Sequence, residues 1–105
     1  MPNRVDFGAK DPGATTILGF DFTSQLTPNG ETLQTASFNV TVWTGSDPSP
    51  NSMISGGALV NTPIVLQRFA GGVNGTVYKL ECTVTTSLSQ TLVLVGYLSV
   101  DADPL

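Results

Sequence analysis

The stretch Gly71-Gly-Val-Asn-Gly-Thr-Val-Tyr-Lys-Leu-Glu-Cys-Thr-Val-Thr85 decides the fold. It opens with the strongest turn signals in the chain, Gly71-Gly72 and Asn74-Gly75. From Val77 onward, Tyr78, Leu80, Cys82 and Val84 alternate with Lys79, Glu81, Thr83 and Thr85. Side chains of a strand point alternately to its two faces, so the pattern predicts a strand dry on one side and wet on the other. Asn74 lies four residues before Tyr78, and Leu80 two after it. That is the spacing of the tyrosine corner of immunoglobulin-type sandwiches, where the phenol hydroxyl bonds back to the preceding loop. Tyr78, Gly71, Gly72 and Gly75 are therefore structural candidates. Leu80 stands where such domains carry a disulfide cysteine, with packing in place of the covalent link. A core tyrosine opening an ordinary strand is the competing reading.

Outward from this stretch the same period recurs. Thr16, Leu18, Phe20 and Phe22 share one face of a strand, with Gly19 and Asp21 on the other. Thr35 to Thr44 alternates Ala36, Phe38, Val40 and Val42 against Ser37, Asn39, Thr41 and Trp43, which leaves Trp43 as a surface aromatic on a polar face. Residues 45–62 read as a loop holding two very short strands around a Gly56-Gly57 break. Ile64 to Phe69 and Thr91 to Val100 complete the set, and one helical turn is expected around Thr23 to Leu26. Six or seven short strands separated by turn residues predict an all-β fold, an immunoglobulin-like antiparallel β-sandwich over residues 15–100. Pro2, Gly8, Pro12 and Gly13 make residues 1–14 an arm that is either flexible or ordered by a partner, and 101–105 a tail.

Composition excludes much chemistry. The chain has 105 residues, no histidine and one cysteine, Cys82. A Ser-His-Asp triad, a Cys-His dyad, an internal disulfide and a thiolate zinc site are all ruled out. Cys82 alternates with core residues and reads as a small buried hydrophobe. Asp101 and Asp103 are too few for a calcium site, and Asp21, Glu31 and Glu81 read as scattered solvated carboxylates with no glycosidase pair among them. No catalytic, cofactor or metal residue is assigned. Asn39-Val-Thr41 and Asn74-Gly-Thr76 match the glycosylation triplet, which means little without a secretion signal. A net charge of −4 argues against nucleic acid, and no apolar run approaches membrane-crossing length.

Only 11% of residues are charged, against roughly 25% in an average soluble domain. The deficit is concentrated, since no charged residue occurs from Cys82 to Val100. The last strand, Thr-Leu-Val-Leu-Val-Gly-Tyr-Leu-Ser-Val100, has Leu92, Leu94, Leu98 and Val100 on one face and Val93, Val95 and Tyr97 on the other. A strand apolar on both faces is normally buried on both. Either another subunit covers Val93, Val95 and Tyr97, with Trp43 nearby, or the N-terminal arm or the loop over 45–62 folds across them.

Lys10-Asp-Pro-Gly-Ala followed by Phe20-Asp-Phe22 resembles the start of small immunoglobulin-like virion proteins of tailed bacteriophages, of the tail fibre adaptor type. So do Gly71-Gly-Val-Asn-Gly75-Thr-Val-Tyr78 and Val84-Thr-Thr86 with the apolar strand ending at Val100. Members show a D-P-x-E start, an F-D-W-like strand, a G-G-x-x-G-x-x-Y turn and a strand ending in T-T; the resemblance runs from about Asp11 to Val100. This chain departs from the pattern at Phe22, where tryptophan is frequent, and in a last strand almost without charge. The resemblance implies binding without catalysis: a fibre-tail adaptor held by strand pairing and apolar packing of the last strand and by ordering of the N-terminal arm. Its partners would be other virion proteins, in multiple copies or as a homo-oligomer, with no nucleic acid and no membrane. It would reside in the virion after assembly in the host cytoplasm. The alternatives are a capsid decoration protein and a sugar-binding receptor-recognition module that uses Trp43 and Tyr97 as stacking platforms.

Overall fold

The computed structural model describes residues 4–102. Seven strands form two sheets: β1 (Arg4–Lys10), β2 (Thr15–Asp21), β3 (Leu33–Thr44), β4 (Ile54–Asn61), β5 (Ile64–Ala70), β6 (Thr76–Thr86) and β7 (Thr91–Val100). One sheet runs β1-β7-β6-β3 and the other β2-β5-β4. The second, fifth and fourth strands thus share a sheet facing the third, sixth and seventh, which is the division of an immunoglobulin-type sandwich. Among the described residues the one α-helix is the expected turn, α1 (Thr23–Leu26).

The alternation of β6 is realised residue by residue: Tyr78, Leu80, Cys82 and Val84 are fully buried. They meet Phe20 and Phe22 at β2 and Val65 and Phe69 of β5, all 0% exposed, to form the core between the sheets. Burial pushes the Cys82 thiol up to about 12, which keeps it protonated and inert as expected for a small hydrophobe. A line of edge-to-face rings crosses the core, Phe7 to Phe20 to Phe38 to Phe69, with centroids 5.1, 5.1 and 5.8 Å apart. Each such contact adds about 0.5–1.5 kcal/mol beyond its buried area.

The arm expected over residues 1–14 is, from Arg4 to Lys10, a strand of this chain. β1 runs parallel to β7, pairing Val5 with Gly96 and Lys10 with Val100, so the sandwich is not antiparallel throughout. Of the glycine and proline residues in the expected arm, Gly8 lies within β1, Pro12 and Gly13 follow it, and Pro2 lies outside the described residues. Gly8, at φ +80°, makes the irregularity between Asp6 and Ala9, and Asp11-Pro12-Gly13 turns the chain toward β2. Two anchors hold β1. Lys10 is buried and its ammonium donates to the carbonyls of Asp11 and Gly71 at 2.8 and 2.7 Å. Burial pushes its pKa down, opposed by the Asp11 carboxylate. Phe7 lies directly over Gly96, where a Cβ would run into its ring.

The two short strands expected around Gly56-Gly57 are one strand, β4. Its pairing with β5 skips between Ser55 and Leu59, so the glycines form a bulge and do not break the strand. Residues 1–3 and 103–105, including Asp103, lie outside the described residues.

The fit of Phe7 over Gly96 gives a direct test of β1. Gly96→Ala overfills the slot and is expected to cost roughly 1–3 kcal/mol in urea unfolding. It should also abolish hydrogen-exchange protection of the β1 amides while β3 and β6 keep theirs. Adding Phe7→Ala should recover part of the loss through their coupling. Equal protection of β1 in wild type and Gly96→Ala would contradict the slot.

Candidate interaction surface

The surface is positioned from beneath by Tyr78. Its ring is buried, and its hydroxyl accepts from the Val73 backbone N–H at 2.8 Å, the bond back to the preceding loop that the spacing predicts. The same hydroxyl donates to the Asp47 carboxylate at 2.7 Å. No sequence signal marked Asp47, which sits 31 residues upstream in the loop after β3. One phenol thereby fixes the entrances to β6 and the exit of β3. Gly71, Gly72 and Gly75 all take positive φ, 71°, 99° and 84°, which only glycine adopts at little cost. A Cβ on Gly72 would also strike Val100 of β7.

These constraints set the outer face of the four-stranded sheet. β6 and β7 pair without interruption, placing Val93 opposite Thr83, Val95 opposite Glu81 and Tyr97 opposite Lys79. β3 continues the rows with Ser37, Asn39 and Thr41. Val93 is exposed; Val95 and Tyr97 are half-buried. Trp43, 58% exposed, falls at the irregularity between Val42 and Thr44 and meets the Tyr97 ring edge-to-face at 5.2 Å. The four residues expected at an interface therefore share one face. The rings of Trp43 and Tyr97 stand at 69°, so they do not form the flat double platform of the sugar-binding alternative.

Of the two ways to cover the doubly apolar last strand, the arm is used, but only at the strand's edge. β7 lies between β1 and β6, so pairing of a partner strand to β7 is blocked while β1 is docked. The outer face with Val93, Val95 and Tyr97 stays uncovered by the loop over 45–62, whose residues 54–61 belong to the other sheet.

Among the described residues no group of three His, Cys, Asp or Glu could hold a metal ion, and no helix is long and apolar enough to cross a membrane. Asp21 is exposed and accepts from the Thr23 backbone N–H and hydroxyl. Glu31, expected to be solvated, is buried: its carboxylate accepts from the Thr86 hydroxyl and from the Asn29 amide. Its partner Thr86 in turn accepts from the Leu88 and Gln90 N–H groups, so Glu31 braces the β6–β7 turn. Glu81 is half-buried on the outer face, and Asp101 is exposed at the end of β7, its N–H donating to the Lys10 carbonyl. Asn74 uses its side chain to accept from the Ala102 N–H.

A family model described as podophage GP4 fiber-tail adaptor protein gp77 matches residues 10–95. The chain belongs to that family. The match begins at Lys10, which latches β1, and ends at Val95, in the middle of the candidate surface. No curated protein matches the chain.

Removing the Tyr78 hydroxyl strands the Val73 N–H, so Tyr78→Phe is expected to cost about 1–2 kcal/mol in chemical unfolding at neutral pH. An unchanged midpoint would refute the corner. A second expectation concerns acid. The Tyr78 hydroxyl, and after it the Ser49 N–H, hold the Asp47 carboxyl below its ordinary 3.8; the Thr23 hydroxyl and N–H do the same for Asp21. A carboxyl lowered by folding adds stability above its unfolded pKa and loses it as pH falls through the folded one. The Tm should therefore drop as pH goes below about 4, and Tyr78→Phe should flatten that limb. Thermal scans from neutral pH into the acid range check both slopes.

Proposed function

We propose that the chain works in the podophage virion as a structural fibre-tail adaptor. On this reading it binds a neighbouring virion subunit through the outer face of β7 and the adjoining Trp43. The observation that carries it is the convergence of Trp43, Val93, Val95 and Tyr97 on one open sheet face in a member of the adaptor family. Interface cores are depleted in charge and enriched in Trp and Tyr. Here the apolar row on β7 is flanked on the β6 side by Thr83 and half-buried Glu81 and Lys79, with Ser37, Asn39 and Thr41 beyond them on β3, and on the β1 side by exposed Asp6 beside Tyr97. Hydroxyl groups lose little on desolvation if they find a partner, whereas unpaired charges would lose much. The face therefore suits a partner that is itself apolar at its centre and polar at its rim. Strand addition at β7 is not part of the proposal, because β1 occupies that edge.

Trp43→Ala and Val93→Asp change exposed side chains and should leave the fold intact by circular dichroism. Truncation of a central interface tryptophan commonly costs about 2 kcal/mol or more, so incorporation into particles is expected to fall by roughly 30-fold. Electron microscopy of particles assembled with each variant, scored for attached fibres, reads the effect. Full fibre occupancy with both variants would sink the proposal.

A further inference from the structure

The opposite sheet carries a second surface of different chemistry. Outward positions of a half-buried sheet are normally polar, yet β2-β5-β4 presents Ile17 and Leu59, 54% and 59% exposed, with half-buried Leu66 between them. Register places Leu66 beside both Gly19 and Leu59, and Arg68 beside Ile17. Gly57 supplies no side chain at the bulge of β4, and the result is a pocket of about 160 Å³ lined by Ile17, Gly57, Leu59, Leu66, Gln67 and Arg68. An apolar cavity of about 150 Å³ is enough to take a benzene ring.

The pocket is held open from inside the sandwich. Gln67 is 2% exposed, and its side-chain amide faces the carbonyls of Ser55, Gly56 and Arg68 at 3.2, 3.1 and 3.0 Å. A buried polar group is costly unless bonded, and here the bonds go to the bulge itself. The bulge is thus a fixed feature of the strand. At the rim, Arg68 is the only basic residue in β2, β4 or β5, it is exposed, and among the described residues it has no ion pair.

We propose that this pocket receives one aromatic or branched aliphatic side chain of a partner protein, from a segment that carries a carboxylate next to that side chain. The apolar group fills the space between Ile17, Leu59 and Leu66, and the carboxylate pairs with Arg68. Charge complementarity selects this occupant, because a lone guanidinium beside an apolar pocket favours an acidic neighbour and repels a basic one. The inference goes beyond the adaptor reading and does not depend on it.

The test is an NMR titration of the isotope-labelled full chain with two capped peptides, acetyl-Ser-Phe-Asp-Ser-amide and acetyl-Ser-Phe-Lys-Ser-amide. The Asp peptide is expected to shift the amides of Gly57, Leu59, Leu66 and Arg68 saturably, at least fivefold more tightly than the Lys peptide. Arg68→Glu should reverse the preference and Arg68→Gln should erase it, while Trp43→Ala leaves the titration unchanged. No response at these amides, or an equal response to both peptides, overturns the proposal. So does movement of the same amides with protein concentration alone, which would make a second copy of this chain the occupant. None of these outcomes bears on fibre attachment through Trp43.

Discussion

The four-stranded sheet closes around one absent side chain. Gly96 leaves a slot in β7 that the Phe7 ring fills, reaching Phe20 in the core at 5.1 Å. Because the slot is filled from within the chain, β1 can lie along β7, and the strand that is apolar on both faces becomes an interior one. Lys10 locks the far end by donating to Gly71, in the same loop that Tyr78 holds through Val73. The N-terminal strand, the loop before β6 and the start of β6 are therefore fastened to one another. With the edge of β7 taken, its remaining apolar groups can meet a partner only through the outer face.

Much of the sandwich was legible because it is written in period two. β6 alternates along its length and β3 does so from Ala36 to Val42, and Tyr78 adds a spacing that survives translation into a hydrogen bond. The interface candidates were legible for the same reason, since Val93, Val95 and Tyr97 share one parity and Trp43 breaks an otherwise polar one. What escaped depends on partners far away in sequence. Phe7 is explained by Gly96 and Glu31 by Thr86, and no local pattern announces either. A parallel pair such as β1–β7 also lacks the tight turn that betrays a hairpin. Gly8 and Gly56-Gly57 looked like interruptions because a bulge and a break use the same residue type. Ile17 was hidden in a strand whose inward face dominates the pattern, and its neighbours Leu59 and Leu66 come from two other strands.

The scarcity of charge takes on a structural sense once the residues are placed. Lys10 and Glu31 are buried as braces, and Lys79 and Glu81 are half-buried among hydroxyl-bearing neighbours. Few charges are left to keep the sheet faces wet, and Ser, Thr and Asn do that work instead. Such a surface is cheap to cover, because covering it strands few ions. It also gives little long-range steering, so recognition must come from fit at short range. Trp43 packed against Tyr97 and the Gln67-braced pocket are both features of that kind.

The two surfaces lie on the outer faces of opposite sheets, with the whole core between them. A partner on the Trp43 face therefore cannot occlude the Arg68 pocket, nor can it share residues with it. Their chemistry differs as well: the first offers aromatic and aliphatic area beside hydroxyls, the second an apolar pocket beside the exposed Arg68 guanidinium. Two ligands of the same kind would compete for either, whereas two unlike ligands sort themselves by charge. On the two proposals made above, the partners would be held on opposite faces of one core, which is the arrangement a small protein needs in order to join two others.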